Sequence, residues 1–248
     1  MLRQTNDLRS AALLLGSTSG STVYPRSIIE GFQQGDVFTD GKAALFWHNC
    51  GFAFLCGQYD TGVLTELRER FFTAERRFLL LTEDADAAAF LRQDPQIETQ
   101  ERYFFRHDGA VPELPPLPDG FTVIRIHAAL LQAIQGNITP RFSWTDDEAF
   151  LQHGAGFCVM YGDMPAAWAF SAAVSSVETD IGVETAPDFR RRGLAVIAAG
   201  AMLHNTLAQH KRPVWACHAG NTASARVAER LGFVRCGGCT VLRLVPQL

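Results

Sequence analysis

The chain has 248 residues, 47% of them hydrophobic and 19% charged, enough to bury a full core and too apolar for a disordered polyelectrolyte. Its net charge of −4 excludes the strongly basic footprint of a nucleic-acid-binding protein. The charge is uneven: residues 1–119 carry 11 Lys and Arg against 17 Asp and Glu, whereas residues 120–248 carry 11 against 9, so the second half is the cationic one.

In chain order, Phe38–Trp47 and Gly51–Gly57 read as paired strands separated by His48, Asn49 and Cys50. Thr61–Ala74 has the helical period, with Leu64, Leu67 and Phe71 on one side, and Arg77–Leu81 is a buried strand. Ala85–Arg92 predicts a short helix and Glu98–His107 a strand with Tyr103 and Phe105 facing one way. Residues 110–120 then hold Pro112, Pro115, Pro116 and Pro118, which exclude helix and favour an extended connection. The expected division is a smaller α/β unit over 1–109, a linker over 110–120 and a second unit over 121–248. Trp47, Phe52, Phe54, Phe104 and Phe105 give the first unit enough apolar mass for a lid, a substrate platform or a homodimer interface.

In the second unit, Phe121–Ile126 is a strand, His127–Gln135 a helix and Pro140–Leu151 a further helical region. Strands follow at Phe157–Tyr161, Pro165–Ser171 and Thr179–Thr185, then a helix from Leu194 to His210, a strand Val214–Cys217 and a helix Ala223–Leu231. Gly237-Gly238, between Phe233–Arg235 and Thr240–Leu244, predicts a closing two-residue hairpin. That reading takes Cys236 and Cys239 as hairpin neighbours rather than a metal or redox pair, and the histidines have no metal-ligand spacing, so no metal is expected. The six cysteines sit mostly in apolar, strand-like surroundings and are expected as reduced, buried thiols. The longest apolar run, Leu194–Leu203, falls short of the ~18 residues of a spanning helix, and Ala11–Leu15 is shorter than the ~7–15-residue core of a signal peptide. A cytoplasmic protein without membrane or nucleic-acid partners is expected.

The sequence from Asp180 to Ala195 runs from a strand through Pro187, Arg190, Arg191, Arg192 and Gly193 into an apolar helix. Proline ends the strand, the arginines bring positive charge, and glycine lets free N–H groups of the helix N-terminus approach an anion. The expected anion is a pyrophosphate. About thirty residues on stands a second block, Asn221 to Phe233. Together the two resemble the GNAT superfamily of acyl-coenzyme A N-acyltransferases: its Arg/Gln-x-x-Gly-x-Gly/Ala signature falls on Arg190, Gly193 and Ala195, and its Asn-x-x-Ser/Ala block closing in Leu-Gly-Phe falls on Asn221, Ser224, Leu231, Gly232 and Phe233. The match spans about residues 120–248. More loosely, the whole length is similar to a bacterial two-part subgroup that includes zwittermicin-resistance-type acetyltransferases.

The resemblance implies a mixed, mostly antiparallel sheet with helices on both faces, acetyl-CoA as co-substrate, and a small-molecule amine acceptor. It implies that Arg190, Arg191, Arg192, Gly193, Leu194 and Ala195 hold the pyrophosphate, that Val183 and Thr185 line an acyl slot by their backbone, and that Asn221 and Ser224 touch the cofactor. Strand alternation sets Glu178, Asp180, Gly182 and Glu184 on one face. A carboxylate there can serve as general base, Glu184 first and Asp180 second, or belong to a solvated strand face. Asn221 reads equally as a helix cap. Many relatives carry a Tyr seven residues after that Asn as the thiolate's acid; here the position is Ala228, which leaves Ser224, His218 or water. Three classes follow: an N-acetyltransferase, an acyl-CoA-binding sensor without catalysis, and a dinucleotide-binding enzyme, the last disfavoured by the lack of G-x-G-x-x-G after a first strand.

Overall fold

A computed structural model describes residues 1–16, 20–110 and 112–245; residue 111 of the expected linker and residues 246–248 of the second unit lie outside the described residues. The chain runs from β1 (Arg3–Gln4) through helices α1 (Leu8–Ala12) and α2 (Val23–Ile29) into a meander of β2 (Gly35–Thr39), β3 (Ala43–His48) and β4 (Phe52–Gly57). Helix α3 (Thr61–Glu66), continued by a π turn (Leu67–Phe71), leads to β5 (Leu79–Thr82), α4 (Ala85–Leu91) and β6 (Ile97–Arg106). After the proline-rich segment the same order returns: β7 (Phe121–Arg125), α5 (Ala128–Ala133), α6 (Asp147–His153), then β8 (Gly156–Tyr161), β9 (Met164–Val174) and β10 (Glu178–Thr185). Helix α7 (Leu194–Ala208), β11 (Arg212–His218), α8 (Thr222–Arg230) and β12 (Val234–Leu244) close it.

The strands form one sheet in the order β1-β2-β3-β4-β5-β12-β6-β11-β10-β9-β8-β7. Replacing each strand by its counterpart in the other half reads that order backwards, so the fold is a structural repeat about a pseudo-two-fold axis. The closing strands are exchanged: β12 pairs with β5 of the first half, and β6 with β11 of the second. Only β4–β5 and β10–β11 are parallel, each joined by a crossover helix; the other pairings are antiparallel. This is the mixed, mostly antiparallel sheet that the sequence leads one to expect.

Helices α3, α4, α7 and α8 cover one face. Leu45, Trp47, Leu80 and Leu242 lie under the first pair, and Phe105, Ile181, Trp215 and Phe233 under the second. Helices α1, α2, α5 and α6 cover the other face, where Phe46 packs against α1 and α2 and Phe170 against α5 and α6. Between those pairs, Val23 and Tyr24 of α2 pack on Phe52, Leu81 and Val214, which come from both halves of the sheet. Among the described residues no helix is long and apolar enough to cross a membrane.

Two local expectations are corrected. The run Phe38–Trp47 is not one strand but the hairpin β2–β3, turned at Asp40-Gly41: Asp40 Oδ1 accepts from the N–H groups of Lys42 and Ala43 at 2.9 and 2.8 Å, and Gly41 adopts φ 89°. Conversely, Gly237-Gly238 is no hairpin turn. It lies within the continuous strand β12, which pairs β6 from Val234 to Leu244 with a bulge between Arg235 and Gly237.

Candidate active site

Strands β10 and β11 pair only at Glu178 with Arg212, Thr179 with Pro213, and Asp180 with Val214. Beyond that, β10 stays with β9 as far as Thr185, while β11 follows β6 from Val214 to His218. A wedge therefore opens between Ile181 and Trp215. A bulge in β9 lies at the same level: the partner of β10 steps from Ala173 to Ser171 between Asp180 and Ile181, and the extra residue adds a local bend to the pair. The wedge-side backbone groups of residues 181–185, the stretch that contains Val183 and Thr185, are left without a ladder partner on β11.

At the wide end of the wedge the chain turns through Pro187–Phe189 into α7. Gly193 is the N-cap residue in the left-handed conformation (φ 77°), a Cβ there would meet open space, and Arg191 before it also has positive φ (64°). The N–H groups of Arg191, Arg192, Gly193, Leu194 and Ala195 meet no acceptor among the described residues, so the positive end of a 15-residue helix is uncapped. Arg190 Nε donates to Thr185 O at 3.3 Å, Arg192 stacks over Phe189 at 5.6 Å, and buried Leu194 anchors the turn in the core. The equivalent helix of the first half differs. There β4 and β5 also part after three paired residues, but Asp60 Oδ1 caps α3, accepting from Gly62 N and Val63 N at 2.9 and 3.1 Å, and this carboxylate occupies the anion position.

Beside the wedge, Asn221 Oδ1 accepts from Ser224 N at 3.0 Å, so Asn221 is the N-cap of α8. Ser224 Oγ accepts from Trp215 Nε1 at 3.1 Å, and Ala228 is fully buried against the core under α7 and α8, leaving no hydroxyl at that position.

At the apex, on the face opposite α7, lies a cavity of about 490 Å³ roofed by α2. Asp180 faces it, buried, with Tyr24 Oη donating to its Oδ2 at 2.9 Å. Burial pushes the Asp180 carboxyl above the usual carboxylate range, against the opposing pull of the Arg102 guanidinium and the Tyr24 hydrogen bond. Glu178 in the same wall is already satisfied: Arg212 Nε and Ser21 Oγ donate to it at 2.9 and 2.8 Å. Glu184 shares their face of β10 but not the cavity. Its Oε2 accepts from Ile138 N at 2.7 Å, beside Trp168 Nε1, which donates to Ile138 O at 2.8 Å, so Glu184 fastens the segment between α5 and α6. The structure thus joins Asp180 and Glu178 with Tyr24 and Arg102, two residues that sequence reasoning did not single out. For Arg102 the strand pattern carries no signal: on its side of the strand it stands with Phe104 but also with Glu98, Gln100 and Arg106, a mixed polar face.

A family model described as GNAT acetyltransferase matches residues 13–241. The chain belongs to that family. No curated protein matches the sequence. Solved GNAT folds are similar over the whole length. A GCN5-related N-acetyltransferase-like protein from Streptococcus suis is 22% identical, with a TM-score of 0.77 over 96% of this chain and 98% of that one. A GCN5-related N-acetyltransferase from Kribbella flavida is 17% identical, with a TM-score of 0.65 over 93% and 98%. One from Sphaerobacter thermophilus is 12% identical, with a TM-score of 0.64 over 100% and 96%. At these identities the likeness is one of fold, and it extends to both halves of this GNAT chain.

Proposed function

We propose that this GNAT protein is a cytoplasmic N-acetyltransferase that moves an acetyl group from acetyl-CoA to the primary amine of a small molecule by direct attack. One observation carries the reading: the strand wedge has an uncapped, arginine-flanked helix N-terminus at its wide end and a buried carboxylate at its apex. The residues fit the co-substrate, because free N–H groups, three arginines and a glycine with open space on its Cβ side are what a pyrophosphate requires. Arg190, Arg191, Arg192, Gly193, Leu194 and Ala195 hold it there, and Val183 and Thr185 offer wedge-side backbone to the acyl chain. Bound in this way, acetyl-CoA supplies an activated thioester, whose C–S bond breaks as the amine's N–C bond forms.

Asp180 takes the proton of the acceptor ammonium at its carboxylate, since a carboxyl raised by burial lies closer to the working pH of a general base than an exposed one. Tyr24 orients that carboxylate. Glu184, the other candidate base, positions the Ile138 backbone instead. Asn221 and Ser224 fix the start of α8 against Trp215. The departing thiolate takes a proton from water, as no hydroxyl stands at Ala228. That same absence favours a second reading, a non-catalytic acyl-CoA sensor.

The test is isothermal titration with acetyl-CoA, with NAD as control ligand and Gly193→Asp and Arg192→Glu as variants. Acetyl-CoA binding that both variants abolish, without NAD binding, supports the reading. Equal affinity in wild type and variants would overturn it. Thiol release with an amine then separates the transferase from the sensor.

A further inference from the structure

The two halves furnish the apex cavity differently. Each contributes a strand at the register where its parallel partner departs: β10 brings Glu178 and Asp180, and β4 brings Phe52 and Phe54 at the matching positions. Phe104 of β6 adds a third aromatic ring. One wall is therefore acidic and the other aromatic. Between them stands Arg102, half-buried, its guanidinium 5.2 Å above the Phe52 ring and donating through one Nη to Ala216 O at 3.1 Å. Among the described residues no carboxylate lies within ion-pair distance of it. Because Arg212 and Ser21 already bind Glu178, the cavity's charges without an ion pair among the described residues are Asp180, which accepts from Tyr24, and Arg102, joined at the rim by Arg106. A half-buried guanidinium facing a cavity, with a five-donor fork and a single acceptor, is a site for a planar anion.

We propose that this cavity is the acceptor pocket and that it selects an amine which also carries a carboxylate and an apolar body, the class of aromatic and large apolar amino acids. The ammonium faces Asp180 at the wedge apex, the carboxylate meets Arg102, and the apolar body lies among Phe52, Phe54 and Phe104. The volume of about 490 Å³ falls within the range of pockets for small ligands. Polyamines and other polycations are excluded by the same inventory, since a second ammonium would meet Arg102 rather than a free carboxylate. The first half of the chain thereby acts as the specificity element, supplying the roof, the aromatic wall and the anion reader. The proposal rests on the acyl-transfer reading for the purpose of the pocket, but its binding test does not.

The test is isothermal titration without acetyl-CoA, using L-phenylalanine, phenethylamine, 3-phenylpropionate and spermidine as probes. L-Phenylalanine should bind best. Arg102→Gln should weaken it by about tenfold or more, the value of a charge-assisted hydrogen-bonded pair, while leaving phenethylamine unchanged; Asp180→Asn should weaken phenethylamine and spare 3-phenylpropionate. Arg102→Lys, which keeps the charge and loses the fork, should fall between wild type and Arg102→Gln and serves if the glutamine variant does not fold. Spermidine binding more tightly than L-phenylalanine, or L-phenylalanine affinity unmoved in a folded Arg102 variant, would overturn the proposal. Acetyl-CoA binding without amino-acid binding would sink this pocket assignment and leave acyl transfer standing, whereas amino-acid binding without acetyl-CoA binding would do the reverse.

Discussion

His48, beneath the roof of the cavity, is buried with Tyr24 edge-on to its ring at 5.1 Å. Cys50 N donates to its Nδ1 at 3.1 Å, which sets the neutral tautomer with hydrogen on Nε2, and Nε2 meets no hydrogen-bond partner. Burial, assisted by the Arg76 charge, holds this imidazole down to about 3 from its ordinary 6.5. The unfolded chain therefore takes up a proton near pH 6.5 that the folded one refuses until about pH 3. The stabilisation from neutral His48 is present in full above the unfolded value and is lost as pH falls through that window. Burial also pushes Cys50 up to about 12 and Tyr24 well above 10, so both are silent there. His48→Asn keeps an acceptor for Cys50 N–H without the titration. Thermal melts between pH 7 and 4 should show the wild type losing more stability than the variant, with a constant offset above pH 7; parallel curves would refute the assignment.

At the scale of elements, the same strand-helix-strand unit occurs twice with opposite electrostatics at the helix start. Helix α7 begins at an open glycine, and α3 begins under the Asp60 carboxylate. Acetyl-CoA should accordingly bind with a stoichiometry of one per chain. Asp60→Ala should lower stability by about 1 kcal/mol, the usual value of an N-cap side chain, and leave acetyl-CoA affinity unchanged; a second equivalent bound, in either protein, would show that the first half keeps a working cradle. The open cradle was legible in the sequence because strand, proline, arginines and glycine are contiguous and each acts through its own backbone chemistry. The roof was not. Helix α2 has seven residues and its decisive contact, Tyr24 to Asp180, spans 156 positions, so no local pattern announces it. Gly237-Gly238 misled for a physical reason: a type I′ turn needs positive φ at both residues, and neither glycine adopts it, because β12 runs on as a bulged strand against β6. In the opposite sense, Asp40-Gly41 carried the hairpin chemistry in the open, within Thr39-Asp40-Gly41-Lys42, four residues that break the apolar character between Phe38 and Ala43.

For the whole molecule, the consequence of the exchanged closing strands is that neither half owns its core. Strand β6, from the first half, lies between β11 and β12, and β12, from the second, lies between β5 and β6. Phe105 of β6 packs in the core under α7 and α8, and Leu242 of β12 in the core under α3 and α4. The proline-rich segment is itself docked, since Leu114 lies where a side chain on Gly200 of α7 would stand. We therefore propose that 1–109 and 121–248 are two repeats that divide the work, one holding acetyl-CoA and the other shaping the acceptor site, rather than two independently folding units. Calorimetry of the intact chain should give a single transition whose van't Hoff and calorimetric enthalpies agree. A fragment of residues 121–248 alone should show no cooperative melt and no acetyl-CoA binding, because Trp215 loses its neighbour Phe105, Leu242 loses α3 and α4, and β11 becomes an open edge. Co-expression with residues 1–109 should restore both properties. The instructive failure would be a 121–248 fragment that melts cooperatively and binds acetyl-CoA by itself: β12 would then have closed on β11 in place of β6, and the strand exchange would be a feature of the joined chain rather than a requirement of its fold.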